Sequence, residues 1–117
     1  MSAGGIAAII AASSLAVVAV AIAYAVIRFG KVGFAICYDM RFPEHFRASS
    51  KIPELFVIPS AWPISRINHF ESLSVGRAIE NQCYVIACNG VGAQGTETLG
   101  GNSIVVDFNG QIILKLS

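Results

Sequence analysis

The chain has 117 residues, with eight Lys and Arg against seven Asp and Glu, for a formal net charge of +1. This near-neutral balance, without any basic run, excludes the electrostatic surface of a nucleic-acid-binding protein. The three cysteines have neither metal-ligand spacing nor the even number of a disulfide framework, and no motif indicates a cofactor. We therefore expect free thiols and no bound metal or cofactor.

The first segment is apolar. Every Lys, Arg, Asp and Glu lies at or after Arg28, and Ser13 and Ser14 are the clearly polar residues within 6–27. A helix of this length, rising about 1.5 Å per residue, crosses a bilayer core of roughly 30 Å. The segment lacks the charged leader of a signal peptide, and its uniform apolarity fits lipid better than an amphipathic buried helix does.

Residues 1–28 are therefore predicted to form an apolar N-terminal helix that serves as a transmembrane anchor. Arg28 and Lys31 follow the apolar run and no charge precedes it. The excess of positive charge on cytoplasmic flanks predicts a membrane protein whose C-terminal part is in the cytoplasm. A wholly cytoplasmic chain is the alternative.

The remaining residues, 29–117, predict alternating strands and helices that end in a hairpin. The helix over 67–81 is indicated by apolar residues spaced three apart, and the hairpin by Asn109-Gly110, which tolerates positive φ at both turn centres. The predicted elements, in order, are a strand over 31–37, a helix over 43–49, a strand over 55–59, a helix over 67–81, a strand over 84–88, and hairpin strands over 103–108 and 111–116.

Cys37 lies where the first of these apolar strands meets a polar turn. A strand end holds a side chain on a rigid element and leaves nearby backbone N–H groups free to bind an oxyanion, so this position suits a nucleophile. The alternative is that Cys37 is a small buried apolar residue, as free cysteine often is.

The sequence around Cys37 resembles a known motif. Residues 33–44 read GFAICYDMRFPE, and five further blocks follow in order at 60–63 (SAWP), 69–70 (HF), 77–82 (RAIENQ), 88–92 (CNGVG) and 101–103 (GNS). These blocks are similar to those of the nitrilase superfamily, the carbon-nitrogen hydrolases, and in their order to its omega-amidase-like branch. The resemblance covers about 29–117.

The resemblance implies an α/β fold, the C-terminal portion of a nitrilase-type α-β-β-α sandwich. In this family two sheets pack face to face with helices outside, and the complete domain is much longer. We therefore expect residues 29–117 to form a partial carbon-nitrogen hydrolase domain that lacks the first half and the closing strands.

The resemblance also implies a chemistry. Family members attack an amide or nitrile carbon with a cysteine thiolate, use a glutamate for proton transfer and a lysine to stabilise the oxyanion, and pass through a thioester. Cys37 matches the nucleophile, the backbone N–H of Tyr38 matches an oxyanion donor, and Trp62 matches a wall of the substrate pocket. An aromatic core anchor is the alternative for Trp62. The family's glutamate and lysine have no counterpart here.

Nearby residues are poor substitutes for these two groups. Lys31 is six residues from Cys37, about 20 Å along an extended strand. Glu44 and His45 begin a predicted helix, where a carboxylate usually stabilises the free N–H groups. His69 and Lys51 have no patterned partner. Four other charged residues are expected to form a buried or half-buried ionic set behind the site: Asp39, Arg41, Arg77 and Glu80. Glu44 is expected to give structural support at the start of the helix.

Two functional hypotheses remain. In the first, the chain is an amidase-type hydrolase of small ω-amido acids, incomplete and inactive in isolation. It would then act on a small amide only with its missing half, supplied by another chain or within a longer parent protein. We also expect this partial domain to form a homo-oligomer or to associate with a missing half-domain. In the second, it is a membrane-anchored, catalytically dead remnant or an interaction module.

Overall fold

The computed structural model describes residues 23–24, 27–28, 30–48 and 53–116. From residue 30 onward they form seven strands, two α-helices and two short 3₁₀ turns. The strands are β1 (Val32–Phe34), β2 (Leu55–Ser60), β3 (Tyr84–Asn89), β4 (Val91–Gln94), β5 (Glu97–Gly100), β6 (Ser103–Val106) and β7 (Ile112–Leu116). The helices are α1 (Pro43–Arg47) and α2 (Ile67–Asn81), and the 3₁₀ turns are Cys37–Arg41 and Ile64–Arg66.

Five strands form one sheet in the order β1-β2-β3-β6-β7. The first three are parallel, with Val32 opposite Leu55 and Leu55 opposite Tyr84, whereas β6 and β7 are antiparallel to their neighbours. Parallel strands need crossover connections, and α1 and α2 supply them. The parallel strands therefore all end at the same edge of the sheet, where Cys37 follows β1 and Trp62 follows β2.

The main core lies between the sheet and α2. Phe70 and Ala78 of the helix pack in one cluster with Ile58, Val85 and Ala87 of the strands. On β3 the buried residues alternate with partly exposed ones, the period that a pleated strand imposes. A second, smaller cluster lies apart from this core and contains Leu55, Val57, Val32, Tyr84 and Ile86.

The structure confirms the α/β class and most elements after residue 30. Helix α2 has the predicted bounds, and β2 and β3 are one residue longer than predicted. The region 90–101, which gave no strand signal, forms the β4–β5 hairpin. The helix predicted over 43–49 ends at Arg47, with Ala48 as its C-cap.

The strand predicted over 31–37 ends at Phe34, and Cys37 begins a 3₁₀ turn. The Ala35 N–H still donates to the Val57 carbonyl at 3.3 Å. Cys37 has a φ of 47°, which is incompatible with an extended strand. The strand prediction was therefore too long because apolarity alone does not report this backbone reversal.

The last hairpin also differs in its turn. Gly110 has a φ of 84°, but Asn109 is not among the residues with positive φ, so the predicted pair of positive φ values is wrong. The Asp107 carboxylate accepts hydrogen bonds from the N–H groups of Asn109 and Gln111, both at 2.9 Å. This side chain organises a longer turn, which a two-residue pattern does not anticipate.

The predicted membrane location is contradicted. No helix within the described ranges has the length and apolarity needed to cross a bilayer. Most of the predicted apolar helix, residues 1–22, 25 and 26, lies outside the described residues. The prediction rested on the length and apolarity of the run alone, which do not distinguish a bilayer from other apolar surroundings.

Candidate active site

Cys37 occupies a strained backbone position where the chain leaves β1. Its φ of 47° lies in the left-handed region, which residues with a Cβ rarely adopt. The side chain is partly exposed and also packs against the main core. Such strain persists only where the surrounding structure enforces it, and it is concentrated at functional sites.

Two sets of hydrogen bonds hold the turn that Cys37 begins. The Asp39 carboxylate accepts from the Ile36 N–H at 3.0 Å, and the Asp39 N–H donates to the Ile36 carbonyl at 3.0 Å. Further along, the Arg77 guanidinium Nε donates to the Met40 carbonyl at 2.9 Å. The turn is thus closed locally by Asp39 and attached to α2 by Arg77.

The first N–H groups of this turn are free to bind a ligand. The Asp39 N–H is used within the turn, whereas the N–H groups of Cys37 and Tyr38 precede the first intrahelical bond. No loop or cap hydrogen bond in the described part of the chain uses the Tyr38 N–H. The Tyr38 side chain points outward and is 63% exposed.

Cys37 opens into a shallow depression of about 510 Å³. The lining comes from the turn after β1 and from the segment after β2, and consists of Cys37, Tyr38, Arg41, Ala61, Trp62, Pro63 and Arg66. Two of these residues are arginines, and the lining contains no carboxylate and no lysine. The predicted nucleophile, oxyanion donor and pocket wall are therefore brought together, without a proton-transfer group.

Trp62 is both a wall of the depression and a core residue, since it is 3% exposed. Its indole ring packs near Phe70 of α2, and its Nε1–H donates to the Arg66 carbonyl at 2.8 Å. The two sequence interpretations of Trp62 are thus compatible with one another. The indole N–H fixes the path of the main chain to Arg66.

Asn89, to which no sequence pattern assigned a role, anchors the pocket wall. Its amide oxygen accepts from the Trp62 N–H at 2.6 Å, and its amide nitrogen donates to the carbonyls of Trp62 and Gly101 at 3.1 and 2.9 Å. Its own N–H donates to Ser103 Oγ at 2.8 Å. An asparagine within the CNGVG block was the available signal, but only the fold shows the partner.

The predicted ionic set does not form as one cluster. Glu80 pairs with Arg77 at 2.7 Å and with Arg47 at 3.1 Å, and Arg47 was not predicted. Arg41 makes no ion pair with the described residues; its guanidinium lies 4.9 Å from the Trp62 ring centroid. Asp39 caps the turn, and the exposed Glu44 side chain has no hydrogen bond or ion pair in the described part of the chain. Closeness in the sequence did not distinguish ion pairing, contact with an aromatic ring, turn capping and plain exposure among these side chains.

The remaining candidates are engaged or distant. His45 Nε2 lies 2.9 Å from the Phe34 carbonyl, and His69 Nδ1 lies 3.2 Å from an Arg41 nitrogen. Since arginine can only donate, His69 Nδ1 is the acceptor. Lys31 precedes β1 at its opposite end, and Lys51 lies outside the described residues.

The other two cysteines are less available than Cys37. Cys83 is buried in the main core and Cys88 is partly buried. Burial raises the pKa of both thiols to about 11. Within the described ranges, no group of His, Cys, Asp or Glu side chains could hold a metal ion.

Comparison with known proteins identifies the family of this chain. The model of the carbon-nitrogen hydrolase family matches residues 13–117. The chain belongs to this family. It is 48% identical over 84 residues to a 2-oxoglutaramate amidase of Paenarthrobacter nicotinovorans, covering 71% of this chain and 29% of that protein. A 2-oxoglutaramate amidase of Bacillus subtilis is 42% identical over 81 residues, covering 68% and 31%.

Solved structures are also similar to this chain. Nit3 of Saccharomyces cerevisiae, from the nitrilase superfamily, superimposes with a TM-score of 0.67 at 37% identity, covering 74% of this chain and 33% of that one. The NitFhit protein of C. elegans gives a TM-score of 0.67 at 40% identity, covering 74% and 22%. The predicted nitrilase superfamily and omega-amidase-like branch are therefore confirmed.

Two further facts follow from these matches. The chain spans about a third of the length of the curated relatives it matches. The family match begins at residue 13, inside the run that was predicted to be a membrane anchor. This overlap is a second finding against the predicted membrane location.

Proposed function

We propose that Cys37 is the acyl-accepting nucleophile of a carbon–nitrogen hydrolase site for the amide of a small ω-amido acid. The observation that carries the proposal is the strained Cys37 backbone beside the free Tyr38 N–H, at the mouth of a depression walled by Trp62. Family membership and the amidase names of the relatives add support.

In the proposed reaction, the Cys37 thiolate attacks the amide carbon and forms a C–S bond. The carbonyl electrons move onto oxygen, which accepts a hydrogen bond from the Tyr38 N–H. The C–N bond then breaks, and the nitrogen takes up a proton and leaves as ammonia. Water hydrolyses the thioester, which releases the carboxylic acid and restores the thiol.

Turnover also needs a proton-transfer group and an oxyanion cation, and neither a carboxylate nor a lysine lines the depression. The seven carboxylates of the chain all belong to described residues, so in this proposal the carboxylate at Cys37 comes from outside these 117 residues. A partner half-domain would supply it. One positioned proton-transfer group contributes about 10² to 10⁴ in rate, so we expect no amide hydrolysis by the isolated chain.

An activated ester tests the nucleophile separately from the absent groups. The p-nitrophenolate ion leaves p-nitrophenyl acetate without being protonated, so acylation needs no general acid. We expect a burst of one equivalent of p-nitrophenolate that is lost in Cys37→Ala and kept in Cys83→Ala. A burst that survives in Cys37→Ala would contradict the proposal. The absence of a burst from the native chain would also contradict it and is the result expected of a catalytically dead remnant.

An ammonia assay with 2-oxoglutaramate or glutamine measures completion of the site. The native chain and Cys37→Ala should both give background release. Release that is present in the native chain and lost in Cys37→Ala would support the nucleophile and contradict the incompleteness of the site.

A further inference from the structure

The depression beside Cys37 is positively charged and lacks a compensating acidic residue. Arg41 and Arg66 both line it. The ion pairs of the described residues join Arg47 and Arg77 to Glu80, and Lys115 to Glu71, so neither lining arginine has a carboxylate partner. The nearest carboxylate in sequence, that of Asp39, accepts a hydrogen bond from the Ile36 N–H.

Arg41 holds its charge in a fixed position. Its guanidinium carbon lies 4.9 Å from the Trp62 ring centroid and 5.5 Å from that of Tyr38, and a terminal nitrogen donates to His69 Nδ1 at 3.2 Å. Contacts with two aromatic rings and with an imidazole nitrogen leave the positive charge of Arg41 in place. Arg41 therefore supplies a permanent positive background to the depression.

Arg66 is different because only its main chain is fixed. The Trp62 indole N–H donates to the Arg66 carbonyl at 2.8 Å, which holds the residue at the rim. The Arg66 residue is exposed, and its guanidinium makes no hydrogen bond or ion pair with the described residues. A planar guanidinium in this position can bind a carboxylate with two parallel hydrogen bonds.

We propose that Arg66 is a specificity-determining residue that binds the carboxylate at the far end of the substrate, so that the site selects anionic amides over neutral ones. Arg41 adds the fixed background charge. This inference rests on the proposed function, since it takes Cys37 as the reacting group. It goes further by assigning the anion-binding role to one side chain.

The test compares two alkylating reagents at Cys37, because it needs no hydrolysis. Iodoacetate and iodoacetamide both transfer a carbon to the thiolate and release iodide, but iodoacetate is an anion and iodoacetamide is neutral. The ratio of their rates therefore reports the charge near the thiol. In the native chain we expect this ratio at Cys37 to exceed the ratio in the urea-unfolded chain by about three- to tenfold at low salt.

Three variants assign the effect. Arg66→Gln should lower the ratio by about threefold, and Arg66→Lys should keep most of it, because the ammonium retains the charge without the planar fork. Lys31→Gln is the matched control, since it removes the same charge at the opposite end of β1 and should leave the ratio unchanged. The main-chain bond from Trp62 does not depend on the Arg66 side chain, so these variants keep the local fold.

Salt supplies a measurement on the unaltered chain. The native ratio should fall toward the unfolded value as ionic strength rises from about 0.01 to 1 M, because the Debye length shortens from about 30 to 3 Å. A native ratio equal to the unfolded one, or an unchanged ratio in Arg66→Gln, would overturn the inference. Neither result would affect the ester burst, so failure here is distinguishable from failure of the proposed function.

Discussion

The side chain of Asn89 hydrogen bonds to both main-chain polar groups of Trp62, at 2.6 Å from the Trp62 N–H and 3.1 Å to its carbonyl. The Trp62 carbonyl also accepts from the Gly100 N–H at 2.9 Å, so Trp62 is held from both β3 and β5. Because Asn89 is the last residue of β3, this pair fixes the pocket wall to the centre of the sheet.

Asn89→Ala should therefore destabilise the fold. It leaves the buried Trp62 N–H and the Gly101 carbonyl without the partner that Asn89 provides. We therefore expect a loss of about 2 to 4 kcal/mol in the free energy of unfolding. Urea denaturation monitored by tryptophan fluorescence measures this loss of stability. Asn68→Ala, at an exposed position on α2, is the control and should change stability by less than about 0.5 kcal/mol. Equal effects of the two substitutions would show that the Asn89 bonds contribute little.

Arg77 and Arg47 contact the same carboxylate, that of Glu80, from different environments. Arg77 is 7% exposed and also donates to the Met40 carbonyl. The side chain of Arg47 is 69% exposed. We expect Arg77→Met to destabilise by about 2 to 3 kcal/mol and Arg47→Met by less than about 1 kcal/mol.

Arg77→Met should also loosen the turn that follows Cys37. Thermal unfolding of both variants, with Cys37 alkylation measured alongside, tests this. Similar losses in the two variants would mean that the bond to Met40 does not distinguish Arg77.

The three thiols should react in a fixed order. Burial raises the pKa of Cys83 and Cys88 to about 11, so at pH 8 only about one molecule in a thousand carries either thiolate. Iodoacetamide at pH 8 should therefore label Cys37 first, and labelling of the other two should rise as the pH approaches 11. Peptide mapping of the native chain against a urea-unfolded control measures the order; preferential labelling of Cys88 would be inconsistent with it.

Backbone strain at Cys37 predicts an unusual substitution pattern. A φ of 47° is unfavourable for any residue with a Cβ but accessible to glycine. Cys37→Gly should therefore be more stable than Cys37→Ala by about 1 kcal/mol. Chemical denaturation of the two variants gives the difference. At an unstrained position, alanine would be the more stable of the two.

The sheet should self-associate through an apolar edge. Strand β7 is an edge strand of the sheet that the described residues form, and Ile113 on it is 58% exposed. An uncovered edge strand of this kind pairs readily with a second chain. Sedimentation velocity should detect an oligomer that is weakened by Ile113→Lys and unchanged by Val91→Lys on the separate β4–β5 hairpin. A monodisperse monomer would exclude this association.

The sequence predicted those features that depend on local pattern. Helix α2 was predicted correctly because its apolar residues repeat at helical spacing, and Cys37 was singled out as a candidate because its motif is continuous along the chain. The backbone reversal at Cys37 and the Asn89–Trp62 pair were not found, since both depend on residues that only the folded sheet brings together. Likewise, the stacking of Arg41 on Trp62 requires the ends of β1 and β2 to be adjacent, a fact of topology.

The central claim, that Cys37 is the acyl-accepting nucleophile, is tested most directly by locating the acyl group. The native chain is treated briefly with p-nitrophenyl acetate, quenched in acid and digested, and the acetylated peptide is identified by mass spectrometry. The account predicts an acetyl thioester on Cys37, with Cys83 and Cys88 unmodified, and loss of this preference when the chain is unfolded in urea. Acetylation that is equal at all three cysteines of the native chain, or that favours Cys88, would contradict it.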